Sequence, residues 1–149
     1  MMTPIMPKPS GLFFNLIALL LTQAAVAAPV VLQCPLRYPT EPQLLEMRNK
    51  GWYAPVAAAP GALLNQAGAL TGPAVANGEL RGNDLPNGRG RRFNFHGTDE
   101  DGEKWVFCNY ESGRSDLRLM YAVPVGSRFC ETGEERTAGR LVAASIRCE

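Results

Sequence analysis

The residues able to do chemistry are few, and their spacing limits what that chemistry could be. One histidine, His96, is present in 149 residues, so any Ser-His-Asp or Cys-His site would have to use it. His96 falls inside Arg92–Val123, a stretch that alternates like a strand, and its expected neighbours across the pair are Phe107 and Trp105. That context reads as packing on a half-exposed aromatic face, because catalytic side chains are mostly carried on loops. Glu100 and Glu103 are the nearest thing to paired carboxylates. They flank a turn at a solvated tip, where nothing desolvates one of them and raises its pKa as glycoside hydrolysis requires. Asp99-Glu100-Asp101-Gly102 matches part of a calcium loop but lacks the remaining ligands and the distant bidentate Glu.

Four cysteines, Cys34, Cys108, Cys130 and Cys148, carry the rest of the chemical potential. There is no C-x-x-C and only one histidine, so the spacing departs from structural zinc patterns, and neither a metal nor a cofactor is expected. An even count behind an export signal reads as two disulfides. Four cysteines allow three connectivities, among which the sequence alone does not choose. The preferred one is Cys34–Cys108, tying the N-terminal segment to the central strand, with Cys130–Cys148 closing the last hairpin.

The export signal itself is legible. Lys8 supplies the positive end, Leu12 to Leu21 the apolar run, and Ala25-Val26-Ala27 an A-x-A cleavage site. The apolar run is too short to span a bilayer, which needs about 20 apolar residues. Residues 1–27 are therefore expected to be a cleaved signal peptide, leaving residues 28–149 as a single periplasmic or extracellular domain without a stable membrane anchor. Gln33 precedes Cys34 where lipoprotein processing wants a small residue. Lys8 is the one charged residue lost, so 14 basic and 14 acidic side chains remain. That balance argues against a nucleic-acid binder or a polycation that coats membranes.

The elements that would position these groups are mostly strands. Asp101-Gly102 is a strong hairpin signal, since a type I′ loop needs positive φ at both positions. It sets Asp99 opposite Lys104, Phe95 opposite Cys108 and Phe93 opposite Tyr110. A second turn at Ser112-Gly113 sets Leu117 opposite Cys108 and Leu119 opposite Val106. Period-two alternation then gives one apolar face containing Phe93, Phe95, Val106, Cys108, Leu117 and Leu119. Upstream, Thr40 with Gln43 forms a capping box, Pro42 suits the first turn, and Gly51 ends a helix over 41–50 whose buried stripe is Leu44 and Met47, with Leu45 beside them. A short strand is the alternative for that segment. Ala54 to Gly90 is rich in Ala, Gly, Pro and Asn and reads as a long connection, with a functional surface as the alternative; Leu63, Leu64 and Leu70 anchor one irregular or short-strand segment in it, and Leu80 and Leu85 another. Near the end, Arg128 to Cys130 reads as a short strand, Thr132 to Arg136 as a turn, and Leu141 to Cys148 as a closing strand with Val142, Ala144, Ile146 and Cys148 on one face.

The expected fold is mainly β: a small antiparallel sheet, meander-, sandwich- or barrel-like, with one short helix and two disulfides. Cys34-Pro35, Gly51-Trp52, Thr71-Gly72-Pro73, the run Trp105-Val106-Phe107-Cys108-Asn109-Tyr110, Cys130 and Ile146-Arg147-Cys148 resemble an uncharacterised family of small secreted bacterial proteins named only after a locus tag. Phe93 or Phe95 stands where such sequences often carry tryptophan, and Leu80-Arg81-Gly82 replaces a more usual Leu-x-Pro. The resemblance implies a periplasmic address and assigns no activity.

The functional expectation is a non-enzymatic binding protein, such as an inhibitor or immunity protein against an envelope-active enzyme, with a protein partner in the cell envelope. Its candidate surface joins the basic cluster Arg89, Arg91 and Arg92 to the aromatic face of His96, Trp105 and Phe107. The bland alternatives are local pairing of the arginines with Asp84, Asp99 or Glu100, and a second core under the aromatics. An enzyme that cuts cell-wall glycan through acidic residues and a structural envelope protein without a ligand site are the competing classes.

Overall fold

The computed structural model of the chain describes residues 28–55, 61–72, 78–95, 102–111 and 117–149. The expected signal segment, His96 and the Asp99–Asp101 part of the expected turn lie outside the described residues, as does the Ser112-Gly113 turn.

Among the described residues, nine strands and one helix follow in order. They are β1 (Val30–Cys34), α1 (Glu41–Asn49), β2 (Trp52–Tyr53), β3 (Leu63–Thr71), β4 (Asn83–Asp84), β5 (Arg91–Asn94), β6 (Lys104–Glu111), β7 (Arg118–Ala122), β8 (Phe129–Thr137) and β9 (Arg140–Cys148). They form two antiparallel sheets, ordered β1-β9-β8-β5-β4 and β2-β7-β6-β3. The core is shared between the sheets: Phe93, Cys130, Ala144 and Ile146 come from the first, and Leu64, Val106, Cys108, Tyr110 and Leu119 from the second. Two half-buried sheets facing each other is the packing that strict alternation demands.

Both disulfides match the preferred pairing. Cys34–Cys108 joins β1 to β6, and so crosses from one sheet to the other. Cys130–Cys148 joins residues that face each other directly across β8 and β9. With closed loops of 74 and 18 residues, these links limit the unfolded chain by about 3–4.5 kcal/mol each in the chain-entropy account.

The helix forms as read. Thr40 donates to Gln43 Oε1 through both its backbone N–H and its hydroxyl, each at 2.9 Å. Pro42 sits in the first turn, where no N–H is missed. Leu44 is buried and Met47 packs at the core edge, but Leu45 is 60% exposed and leaves the stripe.

Three expectations about neighbours are corrected. Phe93 and Phe95 do not lie opposite Tyr110 and Cys108. β5 pairs with β8 and β4 in the first sheet, while β6 pairs with β3 and β7 in the second. The inward face was right, since Phe93, Phe95, Val106, Cys108 and Leu119 are all buried. Period-two patterning names the buried face but not the adjacent strand, so side chains expected beside one another face each other across the core instead. The β6–β7 register differs by two residues, with Cys108 opposite Leu119 and Val106 opposite Tyr121. A shift of two preserves the face.

The second correction concerns 54–90, where the irregular or short-strand segment expected at Leu63, Leu64 and Leu70 is β3, a full nine-residue strand whose Ala67, Ala69 and Leu70 are buried. Its Ala-Gly-Ala centre has poor strand propensity but leaves room for β6. The Phe107 ring occupies the space where a Cβ on Gly68 would stand, 2.6 Å from Cζ. Tertiary packing overrides propensity here. Third, Thr132 to Arg136 is strand rather than turn. The β8–β9 reversal falls at Ala138 and Gly139, whose φ values of 50° and 79° suit a tight hairpin turn.

Candidate functional site

The expected surface divides between the two sheets. Arg89, Arg91 and Arg92 lie at and before β5, on the first sheet. Asn87 Oδ1 accepts from the Arg89 N–H at 2.9 Å, and the Arg89 carbonyl accepts from the Glu134 N–H at 2.8 Å. The Arg91 guanidinium stands 3.4 Å from Asp84. Arg92 donates to Glu131 at 2.7 Å and lies 4.5 Å over the Phe129 ring. Two of the three cations thus have acidic neighbours: Asp84 as the local alternative foresaw, and Glu131 from a strand 39 residues away. Arg89 borders a groove of about 320 Å³ with Asn87, Glu134, Glu135, Gln33 and Ser145.

Trp105 and Phe107 lie on the outer face of the second sheet, away from those arginines in topology. Phe107 is 1% exposed, so it is corrected from surface residue to core residue. It forms a small second core with Leu70 and Met120, against which Trp105 packs. The Arg118 guanidinium lies 4.7 Å over its ring and is paired with Glu79. Arg118 Nε and Asn109 Oδ1, on facing residues of β7 and β6, are buried and have no hydrogen-bond partner among the described residues. His96 lies outside the described residues.

Trp105 remains accessible. Its Nε1 donates to Glu103 Oε2 at 3.3 Å, so this carboxylate of the expected glycosidase pair is engaged by an indole, while Glu100 is outside the described residues. The Tyr53 ring lies 6.2 Å from Trp105, tilted by 47°, and Tyr53 is 41% exposed. Beside Trp105 a cleft of about 360 Å³ is walled by Lys104, Val123, Pro124 and the exposed Val125. Tyr53 was not singled out from sequence. Its partner is 52 residues distant in the chain, and only the β2–β7–β6 order brings the two rings together.

Two further clefts also escaped the sequence reading. One of about 600 Å³ separates α1 from the segment before it, lined by Pro35, Tyr38, Gln43, Met47 and Lys50. Tyr38 meets Tyr110 edge-on at 5.2 Å, and burial raises the Tyr38 hydroxyl pKa while Arg48 opposes the rise. The other, of about 440 Å³, opens between the start of β3 and the tip of the β8–β9 hairpin. Its wall brings Leu36, Arg37 and Leu63 against Arg136, Arg140 and Leu141. No local motif announces it, because its parts come from four distant segments.

Among the described residues, no group of three or more His, Cys, Asp or Glu is placed to hold a metal ion, and all four cysteines are oxidised. No helix among them is long and apolar enough to cross a membrane. Two disulfides mark an oxidising compartment outside the cytoplasm. Compared with protein-family models, curated proteins and solved structures, the chain matches none.

Proposed function

We propose that this is an exported, periplasmic or extracellular, non-enzymatic binding protein that occludes a protein partner in the cell envelope, in the manner of an inhibitor or immunity protein. The Tyr53–Trp105 pair, in which Tyr53 is exposed and Trp105 half-buried, carries this reading. Tyrosine and tryptophan supply large contact area at small conformational cost and dominate interface energetics. Here they stand beside the small second core on the outer face of a sheet whose other face packs into the main core, with Val125 exposed at the edge of the adjoining cleft. A surface fixed before contact loses little entropy on binding. The inter-sheet disulfide, the leader-like N-terminus and the resemblance to small secreted proteins support the address. The basic cluster contributes less than the sequence suggests, because Arg91 and Arg92 already face Asp84 and Glu131.

The test is affinity capture from periplasmic extracts and from lysates of competing bacteria, using the oxidised mature protein beside a Tyr53→Ala/Trp105→Ala variant. A partner retained by the first and lost by the second is expected, with affinity reduced by about 2–4 kcal/mol. Equal capture by both, or none by either, removes the aromatic pair as the partner surface.

A further inference from the structure

We infer that the cleft at the open end of the sandwich, between β3 and the β8–β9 hairpin tip, binds a carboxylate carried on an apolar chain. This site is separate from the Tyr53–Trp105 surface and does not depend on that reading.

Three arginines, Arg37, Arg136 and Arg140, line a space of about 440 Å³. That volume is in the range of small-ligand sites. Arg136 is held in place, donating to Glu134 at 2.9 Å and to the Gly139 carbonyl at 3.4 Å. Arg37 and Arg140 make no ion pair among the described residues, and the one carboxylate in the lining, Glu111, is bonded to neither. Guanidinium groups match carboxylates through paired N–H donors.

The rest of the lining is aliphatic. Leu64 is buried at the base, Leu141 and Val142 are half-buried, and Leu36 and Leu63 stand 49% and 42% exposed at the rim. Leucines left open beside unpaired cations suit an amphiphile: the chain covers the leucines while the head meets the arginines. A bare inorganic anion would leave that apolar rim uncovered. The backbone is firm on both sides. Leu64 donates to the Leu36 carbonyl at 2.9 Å, and the hairpin is clamped at its base by Cys130–Cys148.

The experiment is an NMR titration of the oxidised mature protein with decanoate, below its micelle-forming concentration, with acetate and decanol as controls. Saturable shifts confined to the Leu36, Leu63 and Leu141 methyls and the Arg37 and Arg140 side chains are expected. Acetate and decanol should each bind at least about tenfold more weakly, and Arg37→Ser/Arg140→Ser should weaken decanoate by about tenfold or more. Both arginines are exposed, so the double variant keeps the fold; Leu63→Ser at the rim supplies a second test of the apolar contribution. Dispersed or unsaturable shifts, or decanoate affinity unchanged in the double variant, would overturn the assignment. So would tighter binding of a short leucine- and glutamate-containing peptide, which would make the cleft a protein-docking groove. Loss of the captured envelope partner in the Tyr53→Ala/Trp105→Ala variant leaves this titration unaffected, so the two readings fail separately.

Discussion

The Tyr110 hydroxyl donates a 2.9 Å hydrogen bond to the carbonyl of Pro35, one residue beyond the cysteine that crosses to β6. Hydroxyl and disulfide therefore tie the same short segment of the first sheet's edge to the same strand of the second. Burial holds the phenol protonated, pushing its pKa well above the ordinary 10.0, and the nearby Tyr38 adds to the rise. The folded state keeps a proton that the unfolded chain releases near pH 10. Stability from this group is therefore complete below that value and falls as pH climbs from there toward the folded pKa. Urea midpoints at pH 8 and pH 11 should differ in that direction. Tyr110→Phe should flatten part of the slope and cost about 1–3 kcal/mol at pH 8 by orphaning the Pro35 carbonyl.

The two disulfides should differ in their contribution. Replacing both Cys34 and Cys108 by alanine frees a 74-residue loop, whereas the Cys130–Cys148 pair frees one of 18 residues. The longer loop should cost about 1 kcal/mol more in denaturant unfolding, on top of the roughly 3 kcal/mol expected for the shorter. A reversed order would show that strain or residual structure outweighs loop entropy here.

Gly68 and Phe107 are facing residues of β3 and β6, and a Cβ at Gly68 would lie 2.6 Å from the ring. Gly68→Ala should destabilise by about 1–3 kcal/mol through overpacking. Phe107→Leu, itself unfavourable, should absorb most of that penalty in the double variant. A cycle with no coupling between the two substitutions would sink this account of why glycine occupies a strand centre.

Ala138 holds φ at 50°, where a Cβ is crowded, in the turn that joins β8 to β9. Ala138→Gly removes that crowding but loosens the unfolded chain, whereas Ala138→Asn keeps the Cβ and offsets its cost with a local side-chain hydrogen bond, at less entropic cost. Asn should therefore raise the thermal midpoint, with a gain of about 0.5–1 kcal/mol. A lowered midpoint for Asn would mean the alanine methyl makes a compensating contact.

The sequence by itself determined what depends on short-range pattern and residue chemistry. Alternation identified the buried faces of β5, β6, β7 and β9, the Thr40–Gln43 box started α1, and the cysteine count with its preferred pairing matched the disulfides observed. Tertiary structure alone decided which strands are neighbours. Phe93 and Cys108 share the inward pattern whether they sit side by side or face each other across a core, so the sheet switch between β5 and β6 was invisible. The full length of β3, beyond the short segment expected at Leu63, Leu64 and Leu70, was hidden for a related reason: its small residues look like loop material until the Phe107 ring is seen to need their space. The site followed the same division. Trp105 was legible as part of a half-exposed aromatic face, but its pairing with Tyr53, the burial of Phe107 and the meeting of Arg37 with Arg140 in one cleft depend on contacts between distant segments. Such contacts form only when two sheets close on each other, because packing energy is gained there and no local propensity records it.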